Sequence, residues 1–362
     1  MPSSVTTVDE PGNLARGLNR KQLPALDGIR AIAVFLVIIY HASWASLPGP
    51  HGVLIFFVLS GFLITWLLLK ENDKYQSVSL KQFYIRRSLR IFPAFYVFWV
   101  CFVVDVQLTH SAAPWGFYVS AFFYVSDYYR AFVAPPVNSM GHTWSLAIEE
   151  QFYLLWPVLF VAFRNNLPRL AKILGGIIVA IWVQRAVRCC FLGVTSEYIY
   201  HAFDTRLDSL LAGCLLAVML RAGIWAKFWA VVCRRWFNPL LPLALLVSSM
   251  IVTGHSTRYR DVVGLAVDPL LVAVLIAQMI ALHDRPVWSA LNWGWMQYLG
   301  RISYPLYLYH PLTFKIVQDC FPDMRYRYKA PLGYALTIAA ASVSYLGVER
   351  YFLALKKKHA RV

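Results

Sequence analysis

The chain is dominated by apolar runs long enough to cross a bilayer, and these runs recur from about residue 31 to residue 348 with only short polar gaps. A transmembrane helix needs about 20 mostly apolar residues, because the hydrocarbon core is about 30 Å thick and a helix rises about 1.5 Å per residue. Of the 362 residues, 59% are hydrophobic and 14% are charged, against roughly 25% charged in soluble domains. We therefore predict an all-α membrane protein.

About eleven apolar windows appear on a transfer scale, but the segment Pro114–Ser126 holds only about 13 residues, which is too few to span. We predict that it is re-entrant or interfacial. The remainder forms a polytopic membrane helix bundle of about ten transmembrane helices. In this prediction residues 1–22 are a polar N-terminal tail, residues 23–350 are the membrane domain and residues 351–362 are a basic C-terminal tail.

The net charge of +16 comes from Lys and Arg residues in short loops, and these residues do not line one extended face. This distribution argues against nucleic acid as a partner. Ten spans place both termini on one side, and most of the 34 basic residues then fall on that side, which is cytoplasmic by the positive-inside rule. The six cysteines form no CxxC pair, so neither a disulfide framework nor a metal site is expected.

The first apolar run carries ionisable residues at helical spacing. Arg30 and His41 are 11 residues apart, so they share a helix face and differ in height by about 16 Å. Asp27 lies nearly one turn before Arg30. The stripe fits a tunnel with a charge pair at its cytoplasmic mouth and an imidazole deep inside. Alternatively, Asp27 and Arg30 form an interfacial ion pair, and His41 hydrogen-bonds across helices.

The segment His142–Trp156 holds two carboxylates in an otherwise apolar helix. Glu149 and Glu150 point about 100° apart, so both cannot face one cavity equally. Either could orient His41 or accept its proton. The alternative is that both glutamates are favoured only by the positive end of the helix.

Aromatic residues of the same segment, Trp144 and Tyr153, are candidates for stacking on a sugar ring, although ordinary helix packing explains them equally well. A basic run precedes the third span and contains Arg86, Arg87 and Arg90. Such a run can bind phosphates by charge-assisted hydrogen bonds, or it can anchor the topology on anionic lipid. The sequence has no Walker loop, dinucleotide fingerprint or Gly-x-Ser-x-Gly elbow.

Taken together, these motifs resemble the acyltransferase-3 family of membrane O-acyltransferases, which acylate O-antigens, exopolysaccharides, peptidoglycan and some macrolides. The resemblance covers about residues 24 to 350. The matching stretches are Leu26–Arg30 with His41, Phe56–Ile64, Arg86–Pro93, His142–Trp156 and, more weakly, Ile302–His310.

The resemblance implies roles for individual residues. The family pairs an Arg with a His after ten intervening residues, which makes Arg30 and His41 catalytic, and its Ser-Leu-x-x-Glu-x-Gln-Phe-Tyr pattern adds Glu149. The family's basic run holds the acyl-CoA donor from the cytoplasmic side, and here it is Arg86, Arg87 and Arg90. Substrate contacts are expected from the neighbouring residues Asp27, Trp144, Glu150 and Tyr153.

The expected activity is transfer of an acyl group, by family frequency acetyl, from acyl-CoA to a hydroxyl of a carbohydrate or glycolipid, with His41 as general base. The expected location is the bacterial inner membrane, in contact with lipid, with acetyl-CoA as donor substrate and no tightly bound cofactor. Direct transfer and a transient acyl-enzyme both remain open. A transporter that exports a glycan or lipid and a structural or sensory membrane protein are the alternatives from other classes.

Overall fold

The computed structural model describes residues 13–18, 20, 24–42, 49–109, 114–133, 140–283 and 285–361, and none of these residues lies in a strand. The α-helices are α1 (Asn13–Leu18), α2 (Pro24–His41), α3 (Gly49–Tyr75), α4 (Leu80–Thr109), α5 (Trp115–Phe122), α6 (Ser126–Val133), α7 (Thr143–Phe163), α8 (Leu167–Cys190), α9 (Ser196–His201), α10 (Phe203–Ala222), α11 (Ala226–Val232), α12 (Leu240–His255), α13 (Thr257–Tyr259), α14 (Leu265–Ala281), α15 (Gly294–Arg301), α16 (Ser303–Cys320), α17 (Tyr326–Ser344) and α18 (Arg350–Lys358). The other helical turns are the π-helical Arg260–Gly264 and Tyr345–Glu349 and the 3₁₀ helix Pro286–Asn292.

Every predicted span corresponds to a helix, but the number of spans is not confirmed. Within the described part of the chain, six helices are long and apolar enough to cross a membrane, or seven if Ser196–Ala222 (α9 and α10) and α11, bent by 107°, count as one span. The six are α3, α4, α7, α8, Thr257–Ala281 and Tyr326–Lys358. Helix α12 has 16 residues, a length of about 24 Å that is short for the bilayer core. The all-helical class is therefore confirmed, whereas the count of about ten is not.

The segment Pro114–Ser126, predicted to be too short to span, contains α5 and the first residue of α6, the helix that follows it. Each helix has eight residues and is about 12 Å long, well under the thickness of the hydrocarbon core. The ring of Tyr124, between the two helices, lies 4.5 Å from that of Phe95 on α4. The amide of Gln151 on α7 donates to buried Asp127 on α6 at 3.0 Å. Contacts to α4 and α7 therefore fix the pair.

A close helix crossing joins α3 to α10 through two glycines. A Cβ added to Gly61 would overlap the carbonyl oxygen of Leu210, and one added to Gly213 would overlap that of Val58. Small residues at such a crossing let two backbones approach, and van der Waals packing then holds helices together where lipid offers little hydrophobic drive. This crossing sets the position of the α3 face that lines the site described below.

We expect Gly61→Ala to lower the thermal unfolding midpoint in detergent by several degrees, because the added methyl group would push α3 away from α10. The matched control is Gly175→Ala in α8, where an added Cβ meets nothing within 4 Å. Alanine also has the higher helix propensity, so this control should unfold at or slightly above the wild-type midpoint. Equal midpoints for the two variants would contradict the proposed role of the crossing.

The C-terminal residues pack against the connection between α3 and α4. Fully buried Glu71 accepts from Arg86 at 3.0 Å and from Arg361 at 2.8 Å. Arg86 also donates to the carbonyl oxygen of His359 at 2.9 Å. The ionic cluster ties the basic tail to the bundle.

Another buried charge cluster lies between α8 and α10. Arg185 on α8 and Asp208 on α10 are almost fully buried and lie 2.9 Å apart. The Trp182 indole also donates to Asp208 at 3.0 Å. Because removing one partner of a buried ion pair leaves an uncompensated charge, the cluster specifies how α8 and α10 pack.

Candidate active site

Two adjacent cavities open inside the bundle and share Val53 and Tyr307 in their walls. The first has a volume of about 350 Å³ and is called the basic cavity, after its lining residues Arg20, Arg30, Lys70, Arg87 and Arg90. The second has a volume of about 680 Å³ and is called the histidine cavity, after its lining residues His41, His142, His201 and His310. Helix α2 runs past both cavities: Arg30 lines the basic cavity, and His41 lines the histidine cavity about 16 Å further along the helix axis.

The basic cavity brings together α2 and α4. Arg30 comes from α2, and Arg87 and Arg90 come from α4. The guanidinium of Arg87 lies 5.5 Å from the ring centroid of Tyr153, which also lines the cavity. Several guanidinium groups around one cavity can form charge-assisted hydrogen bonds with phosphate oxygens. This wall is therefore suited to a phosphorylated ligand.

Arg86 does not join this wall. The sequence groups it with Arg87 and Arg90 as a donor-binding residue, but its guanidinium is bound to Glu71 and His359, outside the residues that line the cavity. Neighbours on a helix point about 100° apart, which is why Arg86 and Arg87 have different partners. Arg86 therefore stabilises the packing of the C-terminal residues against α3 and α4.

Both glutamates of α7 line the basic cavity. The Ser60 hydroxyl donates to Glu149 at 2.8 Å, and the Tyr153 hydroxyl donates to Ser60 at 3.3 Å. Glu150 lines the same cavity. His41 lines the other cavity, so the expected pairing of Glu149 with His41 is not found in this structure.

His41 ends α2, and its exposed ring faces the histidine cavity. Its Nδ1 lies 3.0 Å from the carbonyl oxygen of Val37 and 3.2 Å from Nε2 of His310. His310 Nδ1 in turn lies 2.8 Å from the carbonyl oxygen of Tyr307. A carbonyl can only accept, so both Nδ1 atoms carry the proton in the neutral rings. His41 Nε2 is then the unprotonated nitrogen, as a general base requires.

The partition between the cavities is built from α7 and α16. The Tyr307 hydroxyl donates to the carbonyl oxygen of His142 at 3.0 Å and lies 2.6 Å from the Ser145 hydroxyl. The ring of His142 lies 5.2 Å from that of His310. The sequence motifs contain His142 and His310 at the edges of two matching stretches, but neither was singled out. Their position in those stretches was the signal.

Another part of the histidine cavity wall is aromatic and charged. The ring of Trp144 lies 4.8 Å from His201 and 5.2 Å from Tyr200. His201 Nδ1 lies 3.1 Å from Glu197. Trp144 therefore lines the histidine cavity among other rings. The other lining residues that the sequence did not point to are Glu197, Tyr200, His201, Arg130, Arg260 and Lys315.

The remaining predicted site residue, Asp27, is half-buried on α2 one turn before Arg30 and is outside the lining of both cavities. Its backbone is in close contact with Gly300 of α15, where an added Cβ would overlap the Asp27 carbonyl oxygen. Asp27 therefore lies at a helix contact. Among the described residues, no three His, Cys, Asp or Glu side chains are grouped so that they could hold a metal ion.

Comparison with known proteins adds a family and named relatives. The family model described as an acyltransferase domain matches residues 23–346. Peptidoglycan O-acetyltransferase OatA of Listeria monocytogenes serovar 1/2a is 34% identical over an alignment of 363 positions, gaps included, that covers 91% of this chain and 56% of that protein. O-acetyltransferase OatA of Staphylococcus aureus is 33% identical over 313 residues, 80% of this chain and 50% of that protein. The chain thus spans about half the length of these curated relatives. No solved structure matches.

Proposed function

The chain belongs to the acyltransferase-3 family, and on that basis we propose that this enzyme transfers an acetyl group from acetyl-CoA to a hydroxyl of a cell-wall glycan at the bacterial cytoplasmic membrane. The named relatives are O-acetyltransferases, one of them of peptidoglycan, which supports acetyl as the acyl group and a glycan as the acceptor. One observation carries the proposal. An imidazole with a free Nε2 faces a large cavity whose neighbour is lined with arginines.

The donor occupies the basic cavity. Arg87 and Arg90 hold the phosphates of coenzyme A, and Arg30 adds positive charge deeper along α2. The pantetheine arm extends towards Tyr307, which borders both cavities. Glu149 and Tyr153 flank the donor through their contacts to Ser60. In this arrangement Glu149 shapes the donor site and does not contact the base.

The transfer step takes place at His41. Its Nε2 removes the proton from the acceptor hydroxyl as that oxygen attacks the thioester carbonyl carbon. The tetrahedral intermediate then collapses, the carbon–sulfur bond breaks, and the proton on His41 passes to the departing thiolate of coenzyme A. The products are the acetyl ester of the glycan and free coenzyme A, so no further reactant is required.

His310 acts on the reaction through His41, as a positioning residue. By accepting from His41 Nδ1 it favours the tautomer in which Nε2 is free. We expect His310→Ala to lower kcat by about 10- to 100-fold with a smaller change in KM for acetyl-CoA, as second-shell partners commonly do. The pH dependence of kcat should also shift, because the imidazole loses its hydrogen-bond partner. An unchanged kcat and pH profile would rule out the positioning role.

The decisive experiment uses the purified chain in nanodiscs with radiolabelled acetyl-CoA and a soluble fragment of peptidoglycan. The proposal expects release of free coenzyme A together with label that mild base removes from the glycan as acetate. A transporter, the main alternative from another class, would move the glycan and leave acetyl-CoA intact. Intact acetyl-CoA with both substrates present, in a preparation shown to be folded, would reject the enzyme assignment.

A further inference from the structure

Tyr307 lies where the two cavities meet. Among the described residues only Val53 and Tyr307 line both cavities, and Val53 is apolar, so Tyr307 is the shared wall residue that carries a hydroxyl. The residue is buried, with 5% of its surface exposed. In the proposed reaction coenzyme A stays in the basic cavity and the acceptor approaches from the histidine cavity. The thioester carbonyl therefore reacts beside Tyr307.

His41 accounts for the protons of the transfer step but not for the charge on the carbonyl oxygen. When the acceptor oxygen attacks, negative charge develops on that oxygen. Hydrogen-bond donors aimed at such an oxygen give one of the largest contributions to catalysis, because they are oriented before the reaction and act where water is excluded. The chain needs a donor of this kind at the boundary between the two cavities.

The Tyr307 hydroxyl belongs to a small hydrogen-bond network across that boundary. It lies 2.6 Å from the hydroxyl of Ser145, which lines the basic cavity, and 3.0 Å from the carbonyl oxygen of His142, which lines the histidine cavity. Two hydroxyls this close share one proton between their oxygens. When Ser145 supplies that proton, the proton of Tyr307 points to His142.

This network can release the Tyr307 proton to a second acceptor. The carbonyl oxygen of His142 also accepts from the backbone N–H of Ser145 at 3.4 Å, so it keeps a donor when Tyr307 turns away. The Ser145 hydroxyl still donates to the Tyr307 oxygen in that state. A hydroxyl that accepts a hydrogen bond is the stronger donor, because bonds in a chain polarise one another.

Packing fixes the Tyr307 ring relative to the base. The ring contacts Phe56 edge-on, with centroids 6.2 Å apart, and the ring of His142 at 5.2 Å. The backbone carbonyl of Tyr307 accepts from His310 Nδ1 at 2.8 Å, and His310 contacts His41. One turn of α16 therefore carries both the hydroxyl and the partner of the base.

We propose that Tyr307 is a further catalytic residue, whose hydroxyl donates a hydrogen bond to the thioester carbonyl oxygen. As the acceptor oxygen bonds to the carbonyl carbon, the π electron pair moves onto that oxygen, and Tyr307 stabilises the charge. When the carbon–sulfur bond breaks, the pair returns and Tyr307 keeps its proton. The inference rests on the proposed function and adds the group that stabilises its intermediate.

The kinetic test is Tyr307→Phe, which removes the hydroxyl and keeps the ring. We expect kcat for acetyl transfer to fall by about 100-fold, as for other enzymes that lose one such donor, with little change in KM for acetyl-CoA. The matched control is Tyr309→Phe, the same change on the same helix. Tyr309 is also buried, packs on Phe98 and lies outside the lining of both cavities, so its kcat should equal that of the wild type.

A binding test separates the hydrogen bond from turnover. It uses two thioethers of coenzyme A that cannot transfer an acyl group. One ends in a planar methyl ketone, and the other ends in a methylphosphinate, which is tetrahedral and anionic like the intermediate. Calorimetry on the full chain in nanodiscs should show that Tyr307→Phe weakens binding of the phosphinate by about 10- to 100-fold and that of the ketone by less than about threefold, since hydrogen bonds to charged groups are the stronger ones.

An unchanged kcat in Tyr307→Phe would overturn the inference, as would equal losses of affinity for the phosphinate and the ketone. Should Tyr307→Phe not fold, Ser145→Ala takes its place, because it removes the donor to the Tyr307 hydroxyl. We then expect a selective loss for the phosphinate of about 2- to 10-fold. Equal affinities of Ser145→Ala and wild type for the phosphinate would then reject the network.

Release of coenzyme A from acetyl-CoA by the wild-type chain tests the proposed function separately. A selective loss of phosphinate binding in Tyr307→Phe, in a chain that transfers no acetyl group, would reject the proposed reaction and retain the site for a tetrahedral anion. Transfer at the same kcat by Tyr307→Phe and the wild type would retain the reaction and reject the role of Tyr307.

Discussion

Replacing His41 with alanine is expected to lower the rate of acetyl transfer by about 10²- to 10⁴-fold, the range that general-base catalysis contributes in enzymes. Without the imidazole the acceptor hydroxyl keeps its proton during attack on the thioester, and the leaving thiolate has no proton donor. Binding of acetyl-CoA should change little, because His41 lines the histidine cavity and the proposed donor site is the basic cavity. The measurement is single-turnover transfer of labelled acetyl at saturating donor.

The matched control for this variant is His255→Ala. His255 Nδ1 is hydrogen-bonded to the carbonyl oxygen of Ile251, four residues earlier in its helix, as His41 Nδ1 is to that of Val37. His255 is exposed and lies outside the lining of both cavities. We therefore expect wild-type transfer by His255→Ala. Equal rates in His41→Ala and wild type would exclude His41 as the base.

The second large effect is expected from Arg87→Ala, which should raise KM for acetyl-CoA by about 10- to 100-fold, the value of a lost charge-assisted hydrogen bond. The guanidinium lines the basic cavity and packs on Tyr153, so its removal takes away a packing contact and, in the proposed donor site, a phosphate ligand. Rates at saturating donor should fall less than kcat/KM does. Initial rates over a range of acetyl-CoA concentrations give both constants.

The variant Arg86→Gln tests whether donor binding depends on Arg87 itself or on the total positive charge of the basic run. Arg86 belongs to the same sequence motif, but it binds Glu71 and His359 and does not line the basic cavity. We expect KM for acetyl-CoA to stay within about twofold and the thermal midpoint to fall, because buried Glu71 loses one of its cationic partners. Equal increases of KM in Arg86→Gln and Arg87→Ala would mean that the run acts through its summed charge alone.

Local periodicity made much of the fold predictable. The apolar windows correspond to helices such as α3 and α7, and the 11-residue spacing of Arg30 and His41 gives the path of α2 past both cavities. Length also identified Pro114–Ser126, which holds α5 and the first residue of α6, as too short to span. These features depend only on residues within a few helical turns of each other, so the spacing along the sequence is enough to predict them.

The partners of the candidate base were not predictable in the same way. His310 contacts His41 across 269 positions in sequence, and no helical period relates two residues on different helices. The same reason explains why Glu149 was assigned to His41 although its partner is Ser60, a residue of another helix. Arg130 and Glu197 lie on short helices that are neither apolar nor part of a motif. Their place in the site depends on tertiary packing alone.

The central claim is that acetyl passes from a donor in the basic cavity to an acceptor in the histidine cavity, two sites separated along α2 by about 16 Å. The predicted topology puts the Arg30 end of α2 at the cytoplasmic face and His41 deeper in the membrane, so we propose that the two cavities serve opposite sides. The most direct test uses sealed vesicles that contain the protein, with labelled acetyl-CoA outside and the soluble glycan enclosed. We predict labelled acetyl ester on the enclosed glycan, and loss of that label in His41→Ala. Transfer that occurs only when donor and glycan are on the same side of the membrane would contradict the claim.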